Sequence, residues 1–132
     1  MKIAVDTNVL LRALVADDAA QSARAVSALE GAESVAVSLQ ALCEFVWVLS
    51  RRYGVARADI GEAIRRLLET RNVATDRPAV EWGLAMLEAG GDFADGVIAY
   101  EGAALGAETF VSFDRKAVSL LAAQGRRAKL LD

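Results

Sequence analysis

The amino-acid sequence predicts an α/β fold in one domain, residues 1–132, with a mainly parallel five-stranded sheet flanked by helices on both faces. Two observations carry this prediction. Short apolar runs alternate along the chain with segments whose apolar residues recur at helical spacing. The composition, with 55% hydrophobic residues and a single proline, is typical of a compact chain rather than of a disordered one.

The first strand is predicted at residues 3–5, an apolar run that ends at Asp6. The same pattern predicts the other four strands, at residues 34–37, 73–75, 109–113 and 128–131. Helical spacing predicts seven helices, at residues 9–15, 19–30, 39–53, 59–70, 78–89, 93–105 and 115–123. Asp18 and Ser38 suit the N-caps of two of these helices. Ligands bind beyond the carboxyl ends of the strands in such sheets, so the residues after each strand are the first candidates for function.

The residue types that the chain lacks narrow its chemistry. It contains no histidine, which excludes histidine-dependent nucleophilic sites and nearly every catalytic zinc site. Cys43 is the single cysteine, so the chain has no internal disulfide, which is consistent with a reducing compartment. The apolar start before Asp6 is too short for a signal peptide, and no uncharged apolar run approaches roughly 20 residues. We therefore expect a cytoplasmic protein that does not enter a membrane.

Two aspartates directly follow predicted strands. Asp6 follows the first strand and Asp114 follows the strand at residues 109–113. Each also suits the N-cap of the next helix, so a capping role and a functional role both remain open for each. Their position at the same edge of the predicted sheet favours the functional role.

Glu44 lies within a segment, residues 41–49, that is otherwise apolar. A helix of this composition is expected to be buried all round. A carboxylate there must be neutralised, paired with a cation or bound to a metal, because a buried unpaired charge costs several kcal/mol. No basic residue lies at helical spacing from Glu44 within its own helix.

Two further aspartates lie at the predicted start of the sixth helix. Asp92 suits the N-cap, and Asp95 suits the first turn, where the helix dipole favours a negative charge. Gly96 and an apolar helix follow Asp95, so we expect its side chain to point inward and Gly96 to let another chain or a ligand approach closely. We interpret Asp95 as a ligand and Asp92 as a cap or a supporting residue.

Four inward carboxylates would repel one another unless a cation lay between them. The candidate ligands, and the candidate catalytic residues, are Asp6, Glu44, Asp95 and Asp114. Ligation by oxygen alone favours Mg²⁺ or Mn²⁺. Such a site is typical of enzymes that hydrolyse phosphodiesters.

Four segments, in this order, carry a resemblance that spans nearly the whole chain. They are Asp6-Thr7-Asn8-Val9-Leu10, the segment at residues 42–49 around Glu44, the segment at residues 92–99 with Asp92 and Asp95, and Val111-Ser112-Phe113-Asp114. With these segments the sequence resembles the PIN-domain ribonucleases, and within them the VapC toxins of toxin–antitoxin modules.

The resemblance implies a Mg²⁺ or Mn²⁺ site at the four carboxylates, with Asn8 and Ser112 orienting ligands or binding metal waters. It implies an endoribonuclease that cleaves RNA, forms a homodimer and is silenced by a cognate antitoxin encoded by the adjacent gene. Gly96 departs from the family pattern, in which alanine is commoner at this position. Ser112 stands in place of threonine, and neither departure should abolish metal binding.

Two alternative functions remain. A phospho-receiver domain is also a small α/β unit with an acidic magnesium pocket, and Asp76 could accept the phosphoryl group. However, Asp6 has no acidic neighbour, and Lys129 lies within the last predicted strand rather than beyond it. A catalytically silent PIN-fold binding module is the other alternative. Trp47 and Trp82 are interpreted as core or subunit-interface residues.

Overall fold

A computed structural model describes all 132 residues and divides them into two compact units, Met1–Asp76 and Arg77–Asp132. The α/β class is confirmed, because five strands alternate with seven helices. The expectation that residues 1–132 form one domain stays a prediction. No helix has the length and apolar character needed to cross a membrane.

Unit 1 is the segment Met1–Asp76 and carries a three-stranded parallel sheet in the order β1-β2-β3. Central Val35 of β2 aligns with Ile3 of β1 and with Val73 of β3. Two helices connect each strand to the next. The elements are β1 (Lys2–Ala4), α1 (Thr7–Leu14), α2 (Ala19–Gly31), β2 (Ser34–Ala36), α3 (Leu39–Arg51), α4 (Arg57–Glu69) and β3 (Val73–Ala74).

The core of unit 1 forms where helices pack on this sheet and on one another. Val35 is 1% exposed, and Leu42, Leu49 and Ile64 are completely buried. Asp18 and Ser38 cap α2 and α3 as predicted, since each side chain accepts a hydrogen bond from a backbone N–H three residues later. The caps therefore determine where both helices begin.

Unit 2 is the segment Arg77–Asp132 and consists of a helical pair followed by a two-stranded parallel sheet. The elements are α5 (Arg77–Glu88), α6 (Phe93–Ala104), β4 (Phe110–Ser112), α7 (Arg115–Ala123) and β5 (Ala128–Leu130). Met86, Ala99, Ala117 and Leu121 form a buried apolar cluster. Trp82 packs at its margin, edge-on to Tyr100 and beneath the guanidinium of Arg126, whose Cζ lies 3.4 Å from the ring centroid.

The predicted single five-stranded sheet is wrong in one respect. Hydrogen-bond ladders join the strands as a sheet of three and a sheet of two. The strands contain only two or three residues each. Apolar periodicity predicts that such short runs are strands, but it does not specify which backbones share a ladder.

Candidate active site

Asp6 lies directly after β1 and is the N-cap of α1. Its Oδ1 accepts a hydrogen bond from the backbone N–H of Val9 at 3.1 Å. The capping role that the sequence suggested is therefore confirmed. Capping uses one carboxylate oxygen, and the side chain is exposed, so Oδ2 remains accessible to a cation. Asn8, in the first turn of α1, is also exposed.

Glu44 lies on α3 but is exposed, so the expectation of a buried carboxylate is wrong. The apolar residues of this helix cover one wide face, including Leu42, Phe45 and Leu49, and Glu44 lies on the opposite face. Trp47 lies three residues after Glu44 and is 56% exposed. The sequence analysis included this tryptophan in the apolar run of residues 41–49 and interpreted it as a core or subunit-interface residue, and that run predicted a helix that is buried all round.

Thr7 is a residue of unit 1 that sequence reasoning missed. It is the first residue of α1 and the single polar residue among those that are buried, at 8% exposure. Its Oγ1 donates a hydrogen bond to the carbonyl oxygen of Ala41 on α3, at 3.1 Å. One signal could have found it: Thr7 lies three and four residues before the buried Leu10 and Leu11, on the same face of α1.

Asp92 and Asp114 of unit 2 are both helix N-caps, as the sequence suggested. Asp92 caps α6, and its Oδ1 accepts from the N–H of Ala94 at 3.2 Å. Asp114 caps α7, and its Oδ1 accepts from the N–H of Ala117 at 3.1 Å. Ser112 supports this turn, because its Oγ accepts the backbone N–H of Asp114 at 2.9 Å.

Asp95 differs from the other candidate ligands because it is half-buried. Burial raises the pKa of its carboxyl above the usual value of 3.8, and the negative charges of Asp92 and Asp114 raise it further. Unit 2 therefore brings three of the candidate acids into one neighbourhood. This arrangement is electrostatically unfavourable in the absence of a cation.

Gly96, which follows Asp95, determines how closely α6 packs on α5. A Cβ at this position would overlap the carbonyl oxygen of Trp82 and would lie 2.8 Å from the Cα of Gly83. The close approach at Gly96 is therefore made by the backbone of α5 in the same chain, and the expectation that another chain or a ligand approaches there is wrong. The packing of α6 on α5 therefore requires a residue without a side chain at this position.

The candidate ligands suit a hard divalent cation in their chemistry. All are carboxylates, and the repulsion acting on Asp95 is of the kind that a divalent cation relieves. Neither unit brings three acidic or cysteine side chains close enough together to hold a metal ion. Asp92 and Asp114 each direct one oxygen to a helix N-terminus. Binding would therefore use their second oxygens or require new side-chain rotamers.

Comparison with known proteins identifies one family. The sequence model of the PIN domain family matches residues 3–121. No curated protein matches the chain. PIN domains are typically metal-dependent nucleases that use Mg²⁺ or Mn²⁺. The match begins in β1, ends in α7 and includes every candidate ligand and supporting residue, and on this ground the chain belongs to the PIN domain family.

Proposed function

We propose that this protein is a Mg²⁺- or Mn²⁺-dependent endoribonuclease and the toxin of a VapBC-type toxin–antitoxin system. One observation carries the proposal. Asp95 is a half-buried carboxylate in the first turn of α6, and the carboxylates of Asp92 and Asp114 lie close enough to act on it electrostatically. A purely structural role would be better served by a neutral side chain at this position. The match to the PIN domain family supports the same proposal.

In this proposal Asp6, Glu44, Asp95 and Asp114 supply the carboxylate oxygens that hold the cation. A cation held by these residues would supply two things there: activation of a water molecule for attack on an RNA phosphodiester, and neutralisation of charge on the phosphate. Asn8 and Ser112 orient the ligands or the waters. Ser112 is suited to this role because its Oγ already accepts a hydrogen bond from the backbone N–H of Asp114. Asp92 keeps the first turn of α6 in place by capping it.

The test compares two aspartates that have the same structural role in unit 1. Asp6 and Asp18 are both exposed N-caps whose Oδ1 accepts a backbone N–H at 3.1 Å. Asparagine also caps helices well, so Asp6→Asn and Asp18→Asn should both fold. We expect Asp6→Asn to lose cleavage of total RNA in Mg²⁺ or Mn²⁺, and Asp18→Asn to retain it. Full activity of Asp6→Asn, or of the wild type in EDTA, would contradict the proposal.

The biological part of the proposal concerns partners. The antitoxin, encoded by the adjacent gene, inhibits by placing an Arg or Lys among the candidate carboxylates, which is the charge that such a site accepts. The wild-type protein is proposed to act in the cytoplasm, and its expression should arrest the growth of the host cells. Co-expression of the adjacent gene should restore growth. Asp6→Asn should lose toxicity but still bind the antitoxin in a pull-down. Equal toxicity of the two proteins would contradict the toxin role.

The protein is further proposed to form a homodimer. Large apolar side chains remain exposed, among them Trp47 at 56% and Phe113 at 78%. Apolar surface of this kind is typical of subunit interfaces. Light scattering should give the mass of a dimer for the wild type and a lower mass for Trp47→Ser if α3 contributes to the interface. A wild-type monomer at tens of micromolar would contradict the homodimer.

A catalytically silent binding module is the second candidate. The observation that favours it is that neither unit brings three acidic side chains close enough together to hold a metal ion. A silent module would bind RNA equally well in Mg²⁺ and in EDTA and would not cleave it. The assay of the wild type in both conditions therefore separates the two candidates.

A further inference from the structure

The hydroxyl of Thr7 is buried at a point where packing alone does not require a hydroxyl. Valine has nearly the same shape as threonine and would fill the same space. A buried hydroxyl is unfavourable unless it forms a hydrogen bond, and Thr7 forms one with Ala41, a residue 34 positions away. Thr7 is also the single polar residue in the buried set. The bond therefore specifies how α1 and α3 meet.

The hydrogen bond lies close to both candidate ligands of unit 1. Asp6 precedes Thr7 directly, and its carboxylate is held by the N–H of Val9. Ala41 lies three residues before Glu44 on α3, a rise of about 4.5 Å along the helix axis. The bond thus joins the first turn of α1 to the first turn of α3, within one residue of Asp6 and one helical turn of Glu44.

Apolar contacts between α1 and α3 do not replace this constraint. Leu10 and Leu11 are buried on α1, and Leu42 is buried on α3. Apolar contacts are non-directional and tolerate small shifts of one helix along the other. A hydrogen bond from a buried hydroxyl to one carbonyl does not tolerate such a shift, because its length and angle are restricted.

We infer that Thr7 is a positioning residue: its hydrogen bond to Ala41 sets the separation of Asp6 and Glu44 and thereby the affinity of the protein for its divalent cation. The inference rests on the proposed function, since it assumes that Asp6 and Glu44 bind that cation. Residues that orient ligands affect metal affinity even when they do not touch the metal.

The experiment measures Mn²⁺ binding by electron paramagnetic resonance and RNA cleavage as a function of Mn²⁺ concentration, with the full-length chain. Thr7→Val removes the hydroxyl at nearly constant shape, and Thr7→Ser retains it. Thr70→Val is the matched control, because Thr70 also donates to a carbonyl oxygen, that of Arg66 at 2.8 Å, but is exposed and bonds within one turn of its own helix.

We expect Thr7→Val to raise the half-saturating Mn²⁺ concentration about tenfold. Its cleavage rate at saturating Mn²⁺ should approach that of the wild type, because the ligands themselves are intact. Thr7→Ser and Thr70→Val should bind Mn²⁺ like the wild type. A purely structural role for Thr7 would lower the melting temperature but would leave the Mn²⁺ titration unchanged.

A folded Thr7→Val variant with wild-type Mn²⁺ affinity would overturn the inference and leave the proposed function intact. A wild type that binds no Mn²⁺ and cleaves no RNA would overturn both the inference and the proposed function.

If Thr7→Val does not fold, amide hydrogen exchange of the wild type tests the inference instead. Mn²⁺ is paramagnetic, so Mg²⁺ is used for this measurement by NMR. By linkage, Mg²⁺ should slow amide exchange in the first turns of both α1 and α3, and unchanged exchange there would overturn the inference.

Discussion

Asp6 in unit 1 and Asp95 in unit 2 illustrate two ways of placing a carboxylate near the start of a helix. Asp6 is exposed, caps α1 and is followed by a hydroxyl that bonds to α3. Asp95 is half-buried, and Gly96 beside it lets the backbones of α5 and α6 approach closely. Unit 1 therefore positions its acid with one directional hydrogen bond, and unit 2 positions its acid by close backbone packing.

The difference has an energetic consequence. An exposed carboxylate such as Asp6 is hydrated and costs the fold little. Asp95 is partly desolvated and lies near two other negative charges, which raises its pKa. The folded chain therefore has an unfavourable electrostatic interaction at Asp95, and a cation bound beside this residue should stabilise the fold.

The largest expected effect is the loss of activity in Asp95→Asn. This change removes the charge of the least exposed candidate ligand at nearly constant shape. We expect RNA cleavage to fall about a thousandfold, equivalent to about 4 kcal/mol of transition-state stabilisation. Glu101→Gln is the control, because Glu101 is an exposed acid on the same helix. Comparable activity of the two variants would show that Asp95 is not a ligand.

The next largest effect is expected for a substitution at Gly96, which tests the close packing of α6 on α5. Gly96→Ala should lower the free energy of unfolding by about 2 kcal/mol, because overlap with the backbone of α5 outweighs the gain of about 1 kcal/mol in helix propensity. Gly102→Ala is the control on the same helix, since its Cβ would meet only Ala107 at 3.9 Å. Gly102→Ala should be neutral or stabilising. Urea denaturation measures both, and equal stabilities of the two variants would contradict the packing argument.

The smallest effect concerns stability without metal. The folded-state pKa of Asp95 lies above its unfolded value of 3.8, so its ionisation destabilises the fold as the pH rises, fully so above the folded pKa. In EDTA at pH 7, Asp95→Asn should therefore melt a few degrees higher than the wild type. The difference should shrink as the pH falls towards 4, because the wild-type carboxyl gains a proton. Glu44→Gln, at an exposed position, should leave the melting temperature in EDTA at pH 7 nearly unchanged.

The order of the elements and three of the acidic caps were predictable from the sequence. Strand runs that end in an aspartate, followed by helical spacing, placed Asp6 and Asp114 correctly at helix N-termini. Asp92 was likewise placed at the N-cap of α6. These predictions succeeded because capping depends on residues within one turn of the chain. Glu44 was predicted wrongly because its exposure depends on whether another segment packs over its face of α3, and that information is not local.

By itself the sequence determined the alternation of strands and helices, the helix caps and an all-oxygen set of candidate ligands, because propensity, periodicity and residue chemistry are local properties. The tertiary structure decided that the strands form a sheet of three and a sheet of two, and that Glu44 is exposed. It also decided that the hydroxyl of Thr7 meets a carbonyl 34 residues away and that Asp95 lies near Asp114. These features join residues that are distant in the chain, and only folded packing brings such residues within hydrogen-bonding or Coulombic range.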